Sequence, residues 1–135
     1  MNVGLDFLPG ALAFDEAAAR RIGPSLAAEI VWLDALMLNV DRTPRNPNLL
    51  EWHRQLWLID HGAALYVQHG TPDLAAESGR GFAAIADHVL LPHAGSILEA
   101  DERLAAKLPD LPSLVGLVPP EGLGDGGAEP YVEVL

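Results

Sequence analysis

The chain has 135 residues, eight basic against nineteen acidic, and a formal net charge of −11, so no basic cluster is present to displace counterions from nucleic acid or to meet an anionic membrane. It has no cysteine, which excludes disulfides and thiolate metal sites. Half of the residues are hydrophobic, enough for one packed domain. No uninterrupted apolar run reaches bilayer length and no basic-then-apolar leader opens the sequence, so a cytoplasmic domain is expected.

Residues 2–14 mix apolar side chains with Pro9 and Gly10 and read as an extended or turn segment, anchored by Phe7, Leu8 and Phe14. Asp15 is placed to cap a short helix over Glu16–Ile22 that Gly23 ends. A second helix starts near Pro24-Ser25, where proline suits a first turn. Leu26, Ile30, Leu33 and Met37 recur at helical spacing and predict its buried face. Asp34 lies in this helix; if buried, it needs a partner such as Arg42 or a backbone amide. The helix should stop near Asn39, before a polar loop containing Pro44 and Pro47.

Leu49–Trp52 and Leu56–Ile59 are strand-length apolar runs with His53-Arg54-Gln55 as the turn between them. Ala63–Gln68 continues the fold with Tyr66 as a core residue, and Gly70–Gly81 is a loop. Phe82, Ile85 and Val89 have helical spacing over Phe82–Leu91, and Pro92 ends that element. Ser96 and Glu99 form a capping box before the apolar face Ile97, Ala100, Leu104 and Leu108. The tail from Pro109 is rich in proline and glycine and reads as irregular. The fold class expected is mainly α with a short β-hairpin, α+β.

The chemistry concentrates in two acidic turns joined by that hairpin. Asp41, Arg42, Arg45, Asn46 and Asn48 fall within eight positions, and Asp60-His61-Gly62 follows the second strand. Antiparallel strands return the chain to its starting edge, so a carboxylate, an amide and a second carboxylate can meet. Such oxygens suit a hydrated magnesium ion that also binds substrate phosphates. Taken singly, each residue has a plainer reading: a turn aspartate, an asparagine between prolines, a strand-end Asx turn, a loop salt bridge. The scattered histidines His53, His69, His88 and His93 read as solvated or packing residues.

Asp41 and Asn46 have the Asp-x-x-x-x-Asn interval of kinase catalytic loops, and Asp60-His61-Gly62 stands where kinases carry Asp-Phe-Gly. The segment resembles the HipA-like kinase family in its actinobacterial group, and more distantly the phosphatidylinositol kinases. The matching residues are Asn39, Asp41, Arg42, Asn46, Asn48 and Ile59–Gly62, flanked by Gly4–Gly10 and Asp87–Pro92. The resemblance implies a C-terminal kinase lobe over residues 1–108, with its catalytic loop at 39–48 and metal turn at 60–62, and a separate tail over 109–135. It implies Mg2+ and ATP as cofactors and a serine or threonine hydroxyl of a protein as acceptor. Asp41 is then the catalytic aspartate. Asn46 and Asp60 are the metal ligands. Arg42 and Arg45 pair with phosphate or with Asp41, and Asn39 shapes the loop. A complete kinase also needs a glycine-rich loop and a lysine on the phosphates, yet the only lysine is Lys107. The chain therefore reads as a lobe without its N-terminal half, with weak or no activity alone. A partner bearing that half, or self-association through exposed apolar surface, is the competing expectation of a non-catalytic interaction module.

Overall fold

The computed structural model describes residues 7–65, 81–108 and 111–119. A three-stranded antiparallel sheet of order β1-β2-β3 is built from β1 (Leu12–Ala13), β2 (Leu49–Trp52) and β3 (Gln55–Leu58). Around it lie α1 (Glu16–Arg21), α2 (Pro24–Leu36), two 3-10 turns (Ala83–Asp87 and Leu91–His93), α3 (Ile97–Ala105) and the short α4 (Leu111–Val115). The mixed α+β class is as expected.

Local chemistry sets the helix ends. Asp15 Oδ1 accepts the Ala18 N–H at 2.7 Å and caps α1. Ser96 Oγ accepts the Glu99 N–H at 3.1 Å and caps α3. Pro24 opens α2 behind Gly23. The far end of α2 closes as a Schellman turn, with Asn39 N–H on the Asp34 carbonyl and Leu38 N–H on that of Ala35. Leu38 occupies the left-handed position, φ 49°, where glycine is usual.

The buried side of α2 is not the stripe of large residues that the spacing suggests. Ala27, Ala28, Ile30, Val31 and Asp34 are buried, whereas Leu26 and Leu33 are 45% and 36% exposed. Asp34 decides the rotation. Its carboxylate must meet its donors inside, which brings Ala27 and Val31 inward on the same face and turns Leu26 and Leu33 outward. The small side chains let α2 approach α3, where Ala100 is fully buried. Arg103 of α3 holds Ser25 and Glu29 at 2.9 Å each, and Trp32 Nε1 donates to Asp101 at 2.7 Å. Phe14, Val31, Leu49 and Leu90 join Ile30 in the core.

The hairpin is tighter than expected. Its turn is His53-Arg54 alone, with φ 51° and 64°, and Gln55 already pairs with Trp52. Two successive left-handed residues match the right-handed twist of the strands. The segment 82–91 is not an α-helix. Val89 N–H donates to the Arg42 carbonyl at 3.0 Å and Leu90 N–H to His88 Nδ1 at 3.0 Å, so its donors leave the helical ladder. Phe7 is 87% exposed and anchors nothing, unlike the buried Phe14. Residues 111–115 form a helical turn inside the stretch read as irregular. Tyr66, residues 70–80 and most of the tail lie outside the described residues. Among the described residues no helix is long and apolar enough to cross a membrane.

Candidate functional site

The loop after α2 is organised around Asp41. Its backbone N–H donates to Asn39 Oδ1 at 3.2 Å. Thr43 and Asn46 exchange backbone bonds of 3.1 Å across Pro44-Arg45, a tight turn that brings Asn46 back over Asp41. Asn46 Nδ2 then donates to Asp41 Oδ2 at 2.8 Å, and Asn48 Nδ2 donates to the same oxygen at 3.0 Å. Asn48 adopts φ 48°, a conformation asparagine tolerates, and this bend starts β2 with the side chain still under the loop. Two amide donors orient the carboxylate and leave Oδ1 of Asp41 without a bond among the described residues. Because Asn46 uses its nitrogen on Asp41, its Oδ1 remains an acceptor.

Beneath the loop is a buried charged cluster. Arg42, expected to meet phosphate or Asp41, turns inward instead and is 1% exposed. Its Nε donates to Asp34 Oδ2 at 2.5 Å, and its Nη1 donates to the carbonyl of Asn48. Asp34 thus has the partner that its burial demanded. Asn39 Nδ2 donates to Asp34 Oδ1 at 2.9 Å, which locates Asn39 as a loop-shaping residue. His88 completes the cluster with Nε2 at 2.9 Å from Asp34 Oδ2. Since His88 Nδ1 accepts the Leu90 N–H, the ring proton sits on Nε2 and donates to Asp34. Burial by itself would raise the Asp34 pKa. Hydrogen bonds from His88, Arg42 and Asn39 and the Arg42 charge outweigh it, and the carboxyl is held below its ordinary value.

Reading His88 as a solvated or packing residue is therefore corrected. The one signal available in the sequence was that a buried aspartate seeks more donors than a single arginine Nε supplies.

The structure unites Asn39, Asp41, Asn46 and Asn48, turns Arg42 inward beneath them, and keeps Arg45 and Asp60 apart from them. Arg45 is exposed at the tip of the turn. Asp60 lies one residue beyond Ile59, whose N–H donates to the Asn48 carbonyl at 3.0 Å, so the second acidic turn adjoins the first. Its side chain folds back to the Gly62 N–H at 3.4 Å, and among the described residues it makes no bond to Asp41 or Asn46. Asp60 is itself left-handed, φ 50°, and exposed like His61. Among the described residues no group of three or more histidine, aspartate or glutamate side chains is placed to hold a metal. The free oxygens of Asp41 and Asn46 and the nearby Asp60 suit an ion carried largely by phosphate and water, not an all-protein cage. No family model, curated protein or solved structure matches the chain.

Proposed function

We propose that the chain is the C-terminal lobe of a HipA-like, ATP-dependent phosphotransferase with a protein hydroxyl as acceptor. The observation that carries this reading is the state of Asp41: a carboxylate clamped on one oxygen by Asn46 and Asn48, with the other oxygen unbonded among the described residues. That is the disposition needed to orient a hydroxyl and receive its proton. Asn46, through its amide oxygen, and Asp60, through its carboxylate, would hold magnesium, which would supply neutralisation of the charge that develops on the nucleotide phosphates. The buried Arg42 contributes rigidity and no phosphate contact. Positioning dominates phosphoryl transfer, so a loop braced from below by Asp34 fits the chemistry. The glycine-rich cover and the lysine must come from a partner or from further sequence.

Calorimetry with Mg-ATP on the wild type and on Asp60→Ala tests the proposal. Metal-dependent binding that disappears in the variant supports it; indistinguishable traces reject it. The exposed leucines of α2 favour a second reading, an interaction module, whose chemistry is independent of nucleotide.

A further inference from the structure

The open side of β3 is a hydrogen-bonding edge flanked by apolar grooves. In the β2–β3 ladder, Leu50 faces Trp57 and Trp52 faces Gln55. A two-residue turn makes Trp52–Gln55 and Leu50–Trp57 the hydrogen-bonded pairs. The N–H and C=O groups of Leu56 and Leu58 therefore point away from β2, and no described bond meets them. Beside this edge is a groove of about 560 Å³ between β3 and α2, lined on the α2 side by the exposed Leu26 and by the buried Ile30 at its floor. A second, of about 380 Å³, continues from Ile30 and Leu58 toward Leu33 and Leu104. Unpaired edges beside apolar surface are sites of strand addition.

We infer that this edge pairs with the same edge of a second copy, antiparallel about a two-fold axis at Trp57. The register follows from the residues. Leu56 opposite Leu58 of the other copy satisfies all of the outward backbone groups of both strands in hydrogen-bonded pairs. The same register brings Arg54, in the turn just before β3, to the same end of the paired edge as Asp60, two positions past Leu58 in the other copy. Both are exposed, and each dimer gains two opposite-charge pairs at its rim. The side chains of Leu56 and Leu58 lie on the α2 side of the sheet, so the partner's pair enters the groove lined by Leu26 and Ile30. A two-fold contact is self-complementary, and here backbone, charge and apolar surface agree on one axis. The inference stands without the phosphotransfer reading.

The test is sedimentation equilibrium of the full chain over a concentration series. The wild type dimerises. Arg54→Glu and Asp60→Arg each set like charges face to face and raise the dissociation constant about tenfold or more. An equimolar mixture of the two single variants dimerises again, because every pair is then opposite in sign. The chain has no cysteine, so Trp57→Cys supplies a unique thiol at the axis. Its non-hydrogen-bonded position is close enough for an intermolecular disulfide. Under mild oxidation it cross-links quantitatively, whereas Glu102→Cys on exposed α3 does not. A wild type that is monomeric up to about 0.5 mM, a range that detects even weak association, overturns the inference. So does a dimer indifferent to Arg54→Glu.

Discussion

Asp34→Asn is the most informative single substitution, because it keeps shape and removes charge. Asp34 accepts from three donors, Asn39 Nδ2 on one oxygen and Arg42 Nε and His88 Nε2 on the other. An asparagine has one acceptor oxygen, so its NH2 group must face at least one of these donors. His88 cannot yield by exchanging tautomers, since Nδ1 is committed to the Leu90 N–H. The Arg42 guanidinium then remains buried without a counter-charge. Breaking a buried pair in this way costs about 3–5 kcal/mol. Small domains have about 5–15 kcal/mol in total. The variant should therefore lose at least about a fifth of its stability in urea titrations followed by far-UV circular dichroism. Arg42→Met alone should cost a similar amount. The double variant Asp34→Asn/Arg42→Met removes both charges and should fall short of the sum of the singles by about 2 kcal/mol or more. A loss below about 1 kcal/mol for Asp34→Asn, or an additive cycle, would refute the argument that this pair braces the loop.

Three further outcomes follow from the Asp34 cluster and the hairpin turn. Because the folded Asp34 carboxyl is held below its ordinary value, its contribution is complete above the unfolded value near pH 4 and is lost as pH falls through the folded value. The acid limb of the wild-type stability curve should therefore be steeper than that of Asp34→Asn in urea titrations between about pH 2 and 5. His88→Ala should cost about 2 kcal/mol by leaving a buried acceptor and the Leu90 N–H unmet, and His88→Gln should recover part of it through its own amide donor; equal losses would refute the assigned tautomer. Replacing His53-Arg54 by Asn-Gly suits two left-handed positions and should raise the thermal midpoint, by about 1 kcal/mol of stability.

Much of the local structure was legible because it depends on neighbours in sequence. Asp15, Pro24 and Ser96 mark helix starts by their own chemistry, and both strands of the hairpin show as apolar runs. What stayed hidden depends on distant partners. The spacing of Leu26 and Leu33 was helical, but the direction of the buried face was decided by Asp34 meeting His88, 54 residues away. The segment 82–91 had helical spacing too, and lost its helix to bonds with Arg42 and within His88-Val89-Leu90. In the site, the Asp41–Asn46 interval was readable because a four-residue turn closes it locally. The inward course of Arg42 was legible only from the side of Asp34, as the partner a buried aspartate would need; from its own loop, arginine has equal chemical reason to face phosphate.

Asp60 is asked to serve twice. In the phosphotransfer proposal it presents a carboxylate to magnesium, and in the paired edge the same carboxylate faces Arg54 of the second copy. One carboxylate engaged by an arginine is a poorer metal ligand, so the two states must oppose one another. Linkage then requires reciprocity: whatever factor dimerisation removes from Mg-ATP affinity, Mg-ATP removes from dimerisation. Sedimentation with and without saturating Mg-ATP measures this directly, and a shift of about fivefold in the dimer dissociation constant corresponds to a coupling of about 1 kcal/mol. Arg54→Gln separates the components, because it leaves the metal turn intact while removing the competing cation. In that variant Mg-ATP should bind as it does to the wild-type monomer and should no longer influence association. If Mg-ATP binds the wild type yet leaves its dimer untouched, Asp60 is not shared, and the register that sets it against Arg54 is wrong.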